Sequence, residues 1–115
     1  MTNFRCLKYI VSGAKYSCGN ILLAEFIIHR DFESTIGPGV IRNRSWLLSQ
    51  LLNGSSFYIG IKNNDQWDKE GKVILNYVAG RLYINTRPEL HPGDNLGYEI
   101  TKIYNYITRS VNRLH

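Results

Sequence analysis

The segment from Gly80 to Gly97 constrains the fold of this 115-residue chain more than any other. Apolar and polar residues alternate from Arg81 to Asn85, which is typical of a strand with one buried face. Because proline lacks a backbone N–H, Pro88 and Pro92 must end the strand. The residues Gly93-Asp94-Asn95 then favour a turn. The sequence therefore predicts a short strand that continues into a rigid polar loop.

Length and composition predict one globular domain over residues 1–115, with its core in residues 4–97. The chain is 43% hydrophobic and 20% charged, which is the range of folded proteins rather than of disordered ones. No apolar run approaches the roughly 18 residues that a membrane helix needs. The N-terminal residues lack the apolar stretch of a secretion signal. These features predict a cytoplasmic protein that does not bind membranes.

Periodicity and turn residues divide the chain into strands and one early helix. Apolar residues at helical spacing predict a helix over 46–52, which Asn43 or Ser45 would cap and Asn53-Gly54 would end. The connection over 31–42 contains a tight bend at Gly37-Pro38-Gly39, and residues 63–71 form a polar hairpin tip. Strands are predicted over 4–12, 20–30, 56–62, 72–78 and 81–86, with the first two forming a hairpin.

The last part of the chain has the periodicity of a second helix. Over 99–114 apolar residues recur every three or four positions, namely Ile100, Ile103, Tyr104, Ile107, Val111 and Leu114. The alternative is a strand over 104–108, whose residues favour sheet. The predicted fold class is α+β, with about five mostly antiparallel strands, a short middle helix and a longer C-terminal helix packed on the sheet.

Two short motifs give the chain a family resemblance. Tyr83-Ile84-Asn85-Thr86 ends the last predicted strand, and Asp94-Asn95-Leu96 follows the polar loop. Over residues 5–97 the chain resembles a small bacterial family known only as a domain of unknown function, with a Tyr-hydrophobic-Arg-Thr…Asp-Asn-Leu motif. Asn85 stands where that family has arginine, and the tail beyond Gly97 departs from it. The resemblance implies the strand–helix–strand core and assigns no activity.

No residue pattern points to catalysis, a metal or a cofactor. The three histidines, His29, His91 and His115, are far apart and have no metal-ligand spacing. The two cysteines, Cys6 and Cys18, favour reduced structural roles in a cytoplasmic chain, with a disulfide as the alternative. The sequence thus predicts a protein that is not an enzyme, with neither cofactor nor metal.

A protein-interaction module is the first functional hypothesis. It would bind a macromolecular partner through the polar loop, in the manner of inhibitors, immunity factors or accessory factors of phages and mobile elements. Trp67, in the polar tip, would be an interface anchor if exposed, and the alternative is that it folds back over the sheet edge. A homodimer through the tail or a sheet edge is compatible with the same sequence. The candidate binding residues are Trp67, Arg87, Glu89, His91, Asp94 and Asn95.

Nucleic-acid binding is the alternative hypothesis and ranks below a protein partner. The net charge is +5, from 14 Lys and Arg against 9 Asp and Glu, and positive charge favours acidic partners. Aromatic rings on a sheet can stack on bases while neighbouring cations follow the phosphates. A spread of charge that only keeps the protein in solution explains the same composition. The residues for this alternative are Lys62, Lys72, Arg81, Tyr58, Tyr83, Lys102, Arg109 and Arg113.

Overall fold

A computed structural model describes residues 7–17, 22–97 and 100. Within them the chain forms seven strands and one helix. The elements are β1 (Lys8–Tyr16), β2 (Leu23–Arg30), β3 (Val40–Asn43), α1 (Arg44–Leu52), β4 (Ser56–Asn63), β5 (Gln66–Lys72), β6 (Ile74–Val78) and β7 (Arg81–Asn85).

The strands form two sheets. The larger has five strands in the order β3-β2-β1-β4-β5, and the smaller is the β6-β7 hairpin. β1 pairs antiparallel with β2 and parallel with β4, whereas the other neighbours pair antiparallel. The β1–β2 register shifts between Val11 and Gly13, so Ser12 lies in a bulge. β1 is therefore the central strand of the larger sheet.

α1 ends at Leu52, as the sequence predicts, and begins at Arg44, two residues before the predicted start at position 46. Asn43 is the N-cap, and its side-chain oxygen accepts a 3.0 Å hydrogen bond from Trp46 N. Gly54, just past the helix, has a φ of 95°, which glycine adopts without strain. The helix packs Trp46 against Tyr9 and Phe57 of the larger sheet, with ring centroids 5.3 and 5.7 Å apart. Tyr9 and Phe57 are both buried beneath this contact.

The hydrophobic core continues from the larger sheet to the smaller one. Phe26 and Phe57 of the larger sheet belong to the same buried cluster as Ile84 of β7 and Leu96 of the following loop. Val73, between β5 and β6, is also buried there, and its N–H donates to Phe57 O. The two sheets thus share one core within the described residues.

The predicted fold class is wrong. The described chain is mostly β, with 56% of residues in strands and 11% helical, and it has two sheets and a single helix. The predicted helix over 99–114 lies outside the described residues except for Ile100, which is buried. Over the described residues the fold is therefore mostly β and not of the predicted α+β class.

The error arose from stretches whose composition resembles loops. The tip predicted over 63–71 is only a two-residue turn at Asn64-Asp65, and the polar residues after it form β5. Residues 40–42, predicted as loop, form β3 together with the cap residue Asn43. β3 and β5 are the two edges of the larger sheet, where exposed polar side chains are tolerated and the alternation that marks a buried strand is weak. Cys6 and Cys18 lie outside the described residues.

Among the described residues, no helix has the length and apolarity required to cross a membrane.

Candidate protein-binding loop

The loop from Thr86 to Asp94, called the proline loop below, is fixed at its C-terminal end by a buried carboxylate. The Asp94 side chain has an exposed fraction of 0%. It accepts 2.7 Å hydrogen bonds from the backbone N–H groups of Leu23 and Ile84. It also accepts from Arg44, through Nε at 2.7 Å and Nη2 at 3.2 Å. Asp94 therefore joins the start of β2, α1, β7 and the end of the proline loop.

Two asparagines fix the rest of the loop backbone. Asn76 Nδ2 on β6 donates to Arg87 O at 2.9 Å, and Asn85 Nδ2 donates to Gly93 O at 3.3 Å. Asn95 N also donates to Ile84 O at 2.8 Å, as part of a parallel bridge between Asn95 and Asn85, the last residue of β7. The proline loop is thus attached to the smaller sheet at both ends.

The tip of the proline loop presents an apolar side chain to solvent. Leu90 has an exposed fraction of 90%, the largest among the exposed large hydrophobic residues of the described chain. His91 beside it is exposed, as are Pro88 and Pro92 on either side. Sequence reasoning missed Leu90, although its position as a lone apolar residue between two prolines was the available signal.

The structure gives the predicted loop residues different roles. Arg87 and Glu89 form an exposed ion pair with a 3.1 Å separation, so their charges compensate each other. Asn95 is exposed, and its side-chain oxygen accepts from Gly97 N. Asp94 is buried and saturated with hydrogen bonds, so it positions the loop instead of meeting a partner. Arg44, its ion-pair partner, was missed because no local pattern links residues so distant in sequence.

Trp67 folds back onto the larger sheet, on the face opposite α1. Its ring centroid lies 4.8 Å from that of His29, and Lys62 Nζ lies 6.0 Å from the Trp67 centroid. The residue is half-buried. Trp67 is therefore not the fully exposed anchor that the interface hypothesis required.

A hydrogen-bonded histidine near Trp67 was also missed. His29 Nδ1 lies 2.9 Å from Gly37 O, and a carbonyl oxygen can only accept, so Nδ1 carries the proton. In the neutral ring Nε2 is then the acceptor for the Ser12 hydroxyl, 2.8 Å away. Burial lowers the pKa of His29; the Gly37 bond opposes this effect, and the charge of Lys62 adds to it. His29 therefore favours the neutral form and holds the β2–β3 connection against the sheet.

An ion pair between Asp31 and Lys69 links the β2–β3 connection to β5. Lys69 Nζ lies 2.7 Å from Asp31 Oδ2, and the Asp31 side chain is almost fully buried. Burial alone would raise the pKa of Asp31, but the bond from Lys69 and the bond from Glu33 N–H outweigh it. The net effect lowers the pKa of Asp31, so the carboxylate stays charged at neutral pH.

The described residues predicted for nucleic-acid binding are divided between the two sheets. Tyr83 is buried, and the Tyr58 ring is covered by Lys69 Nζ, which lies 5.7 Å from its centroid. Lys62 and Lys72 are exposed on the larger sheet, whereas Arg81 is exposed on the smaller one. The tail residues Lys102, Arg109 and Arg113 lie outside the described residues.

In the part of the chain that the structure describes, no group of three or more His, Cys, Asp or Glu side chains could hold a metal ion. Comparisons with protein-family models, curated proteins and solved structures found no match to this chain. The resemblance to the bacterial domain of unknown function stays a prediction.

Proposed function

We propose that this chain is a non-enzymatic protein-interaction module that binds its partner through the proline loop. The observation that carries the proposal is the 90% exposure of Leu90 on a loop fixed at both ends. A large apolar side chain left in water gains free energy when a partner covers it, about 1.5–3 kcal/mol for a leucine. The partner would therefore offer an apolar pocket of leucine size.

The fixed backbone supports this proposal on energetic grounds. A flexible loop loses conformational entropy when it binds, and that loss reduces affinity. Here Asn76 and Asp94 hold the backbone, and two prolines restrict its dihedral angles. Most of the conformational entropy that a flexible loop would lose on binding is therefore already lost when this chain folds. By analogy with other small domains that carry a rigid loop, the chain would act as an inhibitor, an immunity factor or an accessory factor.

Site-specific photo-crosslinking in the native host tests the proposal. A photoreactive phenylalanine analogue replaces Leu90 in the full chain, and irradiated cells are analysed by mass spectrometry. We expect one discrete cross-linked protein from position 90. Adding Arg87→Ala to the cross-linking chain keeps that adduct, because Arg87 is compensated by Glu89 within the loop.

Leu52 supplies the matched control, since it is a second exposed leucine, 67% accessible, on α1. The analogue at position 52 should give no adduct with the protein captured at position 90. Three results would each contradict the proposal. They are no discrete adduct at position 90, the same adduct from both positions, and a nucleic-acid adduct at position 90. The nucleic-acid alternative has less support because Tyr83, one of the rings proposed to stack on bases, is buried.

A further inference from the structure

A groove separate from the tip of the proline loop lies between α1 and β7. It is an open cavity of about 400 Å³, which falls in the size range of small-molecule sites. Its lining residues are Leu22, Arg44, Leu48, Tyr77, Gly80, Arg81, Leu82 and Tyr83, and we call it the β7 groove.

The lining of the β7 groove is largely apolar. Leu22, Leu48 and Leu82 contribute aliphatic surface, and the Tyr77 ring has an exposed fraction of 73%. Aliphatic and aromatic surface next to a concave site favours a ligand with an apolar part of its own.

The charge that the described residues bring to the β7 groove is positive. Both charged residues in the described lining are arginines, and none of its residues carries a carboxylate. Arg44 is engaged by Asp94 and by Leu82 O. Arg81 is exposed and makes no ion pair or hydrogen bond within the described residues. The positive charge of its guanidinium is thus not neutralised, and its planar set of N–H donors matches the two oxygens of a carboxylate.

A hydroxyl group supplies a second polar contact. Tyr83 lines the groove although its exposed fraction is only 7%. Its hydroxyl has no hydrogen-bond partner among the described residues. The hydroxyl oxygen nevertheless keeps some contact with solvent, because the side-chain atoms that are completely buried without a partner do not include it. An unpaired hydroxyl on a buried ring is costly unless water or a ligand meets it. We infer that this hydroxyl opens into the β7 groove.

We propose that the β7 groove binds an aliphatic monocarboxylate. The carboxylate accepts hydrogen bonds from Arg81 and from the Tyr83 hydroxyl, and the alkyl chain lies against the leucines and Tyr77. This site does not depend on the proposed function of the proline loop. No bond is made or broken, so the site is one of binding and not of catalysis.

Calorimetric titration of the full chain tests the proposal, with decanoate below its micelle concentration as the probe. We expect saturable binding of one decanoate per chain, and an affinity that rises up to roughly fourfold for each methylene added from octanoate. Decyltrimethylammonium and decanol have the same alkyl chain without the carboxylate, and both should bind at least tenfold more weakly.

Variants assign the binding to the groove. Arg81→Glu should weaken decanoate binding at least tenfold, and Tyr83→Phe should weaken it severalfold while keeping the ring. Arg87→Glu makes the same charge change on the exposed proline loop and should leave the affinity unchanged. Circular dichroism confirms that each variant is folded. Three results would overturn the proposal. They are equal decanoate affinities in the Arg81→Glu and Arg87→Glu chains, binding of decyltrimethylammonium as tight as that of decanoate, and no saturable binding of decanoate.

Discussion

At Gly60, the backbone of β4 lies so close to the side chains of Ile10 and Trp67 that there is no room for a Cβ atom. A Cβ placed there would lie 2.2 Å from Ile10 Cγ2 and 3.2 Å from Trp67 Cε3. Ile10 is fully buried, so it cannot move aside without displacing its neighbours. The absence of a side chain at Gly60 is therefore what allows Ile10 and Trp67 to pack over the sheet.

Gly60→Ala should lower the free energy of unfolding by about 1–3 kcal/mol, as overpacking in a full core does. Urea denaturation followed by circular dichroism measures the change. Gly71→Ala is the matched control, because a Cβ at Gly71 meets its nearest atom, Thr86 Cβ, at an ordinary 3.6 Å. If the two variants are equally stable, the close packing at Gly60 is not as tight as described.

His29 gives the stability a specific pH dependence. Its pKa in the folded chain lies below the ordinary value of 6.5, so the unfolded chain takes up a proton first as the pH falls. The free energy of unfolding should therefore decrease as the pH is lowered through 6.5 towards the pKa of the folded state. Above that window His29 is neutral in both states and contributes no slope.

Urea midpoints measured from about pH 7.5 to about pH 5 check this expectation. In a His29→Gln chain that part of the slope should disappear, whatever the variant's stability at neutral pH. A slope that survives in His29→Gln would assign the titration to another group.

At the scale of elements, Asp94 connects parts of the fold that local sequence patterns leave independent. Its carboxylate meets the start of β2, the end of β7 and, through Arg44, the first residue of α1. The Asp94 side chain is fully buried whereas that of Arg44 keeps 22% of its exposure. Removing the carboxylate charge would leave a mostly buried guanidinium without its counter-ion.

Asp94→Asn should destabilise the chain by about 2–4 kcal/mol, less than a fully buried pair because Arg44 keeps contact with water. Glu89→Gln breaks the exposed pair with Arg87 and should cost less than about 0.5 kcal/mol. Urea denaturation of both variants provides the measurement. Equal losses in the two chains would show that the Asp94 contacts contribute no more than a surface pair.

Elements with local signals were predictable, and elements defined by distant partners were not. α1 followed from its cap at Asn43, its apolar stripe and Gly54, all of which act within a few residues. β5 was hidden because its charged residues resemble a loop, and only the pairing with β4 makes it a strand. The proline loop was predictable from its prolines, whereas the Arg44–Asp94 pair depends on the complete tertiary fold.

At the scale of the molecule, the shared core makes the two sheets one cooperative unit. The β6-β7 hairpin is small, and an isolated two-stranded hairpin is marginal in water. Ile84 is fully buried in the same cluster as Phe26 and Phe57, so the hairpin gains its stability from the larger sheet.

We therefore expect a single unfolding transition. Tryptophan fluorescence reports on the larger sheet through Trp46 and Trp67, while amide exchange at Ile84 reports on the hairpin. The free energy from fluorescence and the opening free energy of the Ile84 amide should agree. A markedly lower opening free energy at Ile84 would show that the hairpin unfolds separately.

The parallel pairing of β1 with β4 has a consequence for biosynthesis. While the ribosome is still translating the residues before Ser56, one flank of β1 has no native neighbour in this sheet. The β1–β2 hairpin can form before β4 is available. The edge of β1 that later pairs with β4 then has unpaired backbone groups, to which other strands can add nonspecifically. Nascent chains arrested after β2 has emerged from the ribosome and before β4 has emerged should therefore be the ones that aggregate, and pairing of β4 with β1 should end that vulnerability.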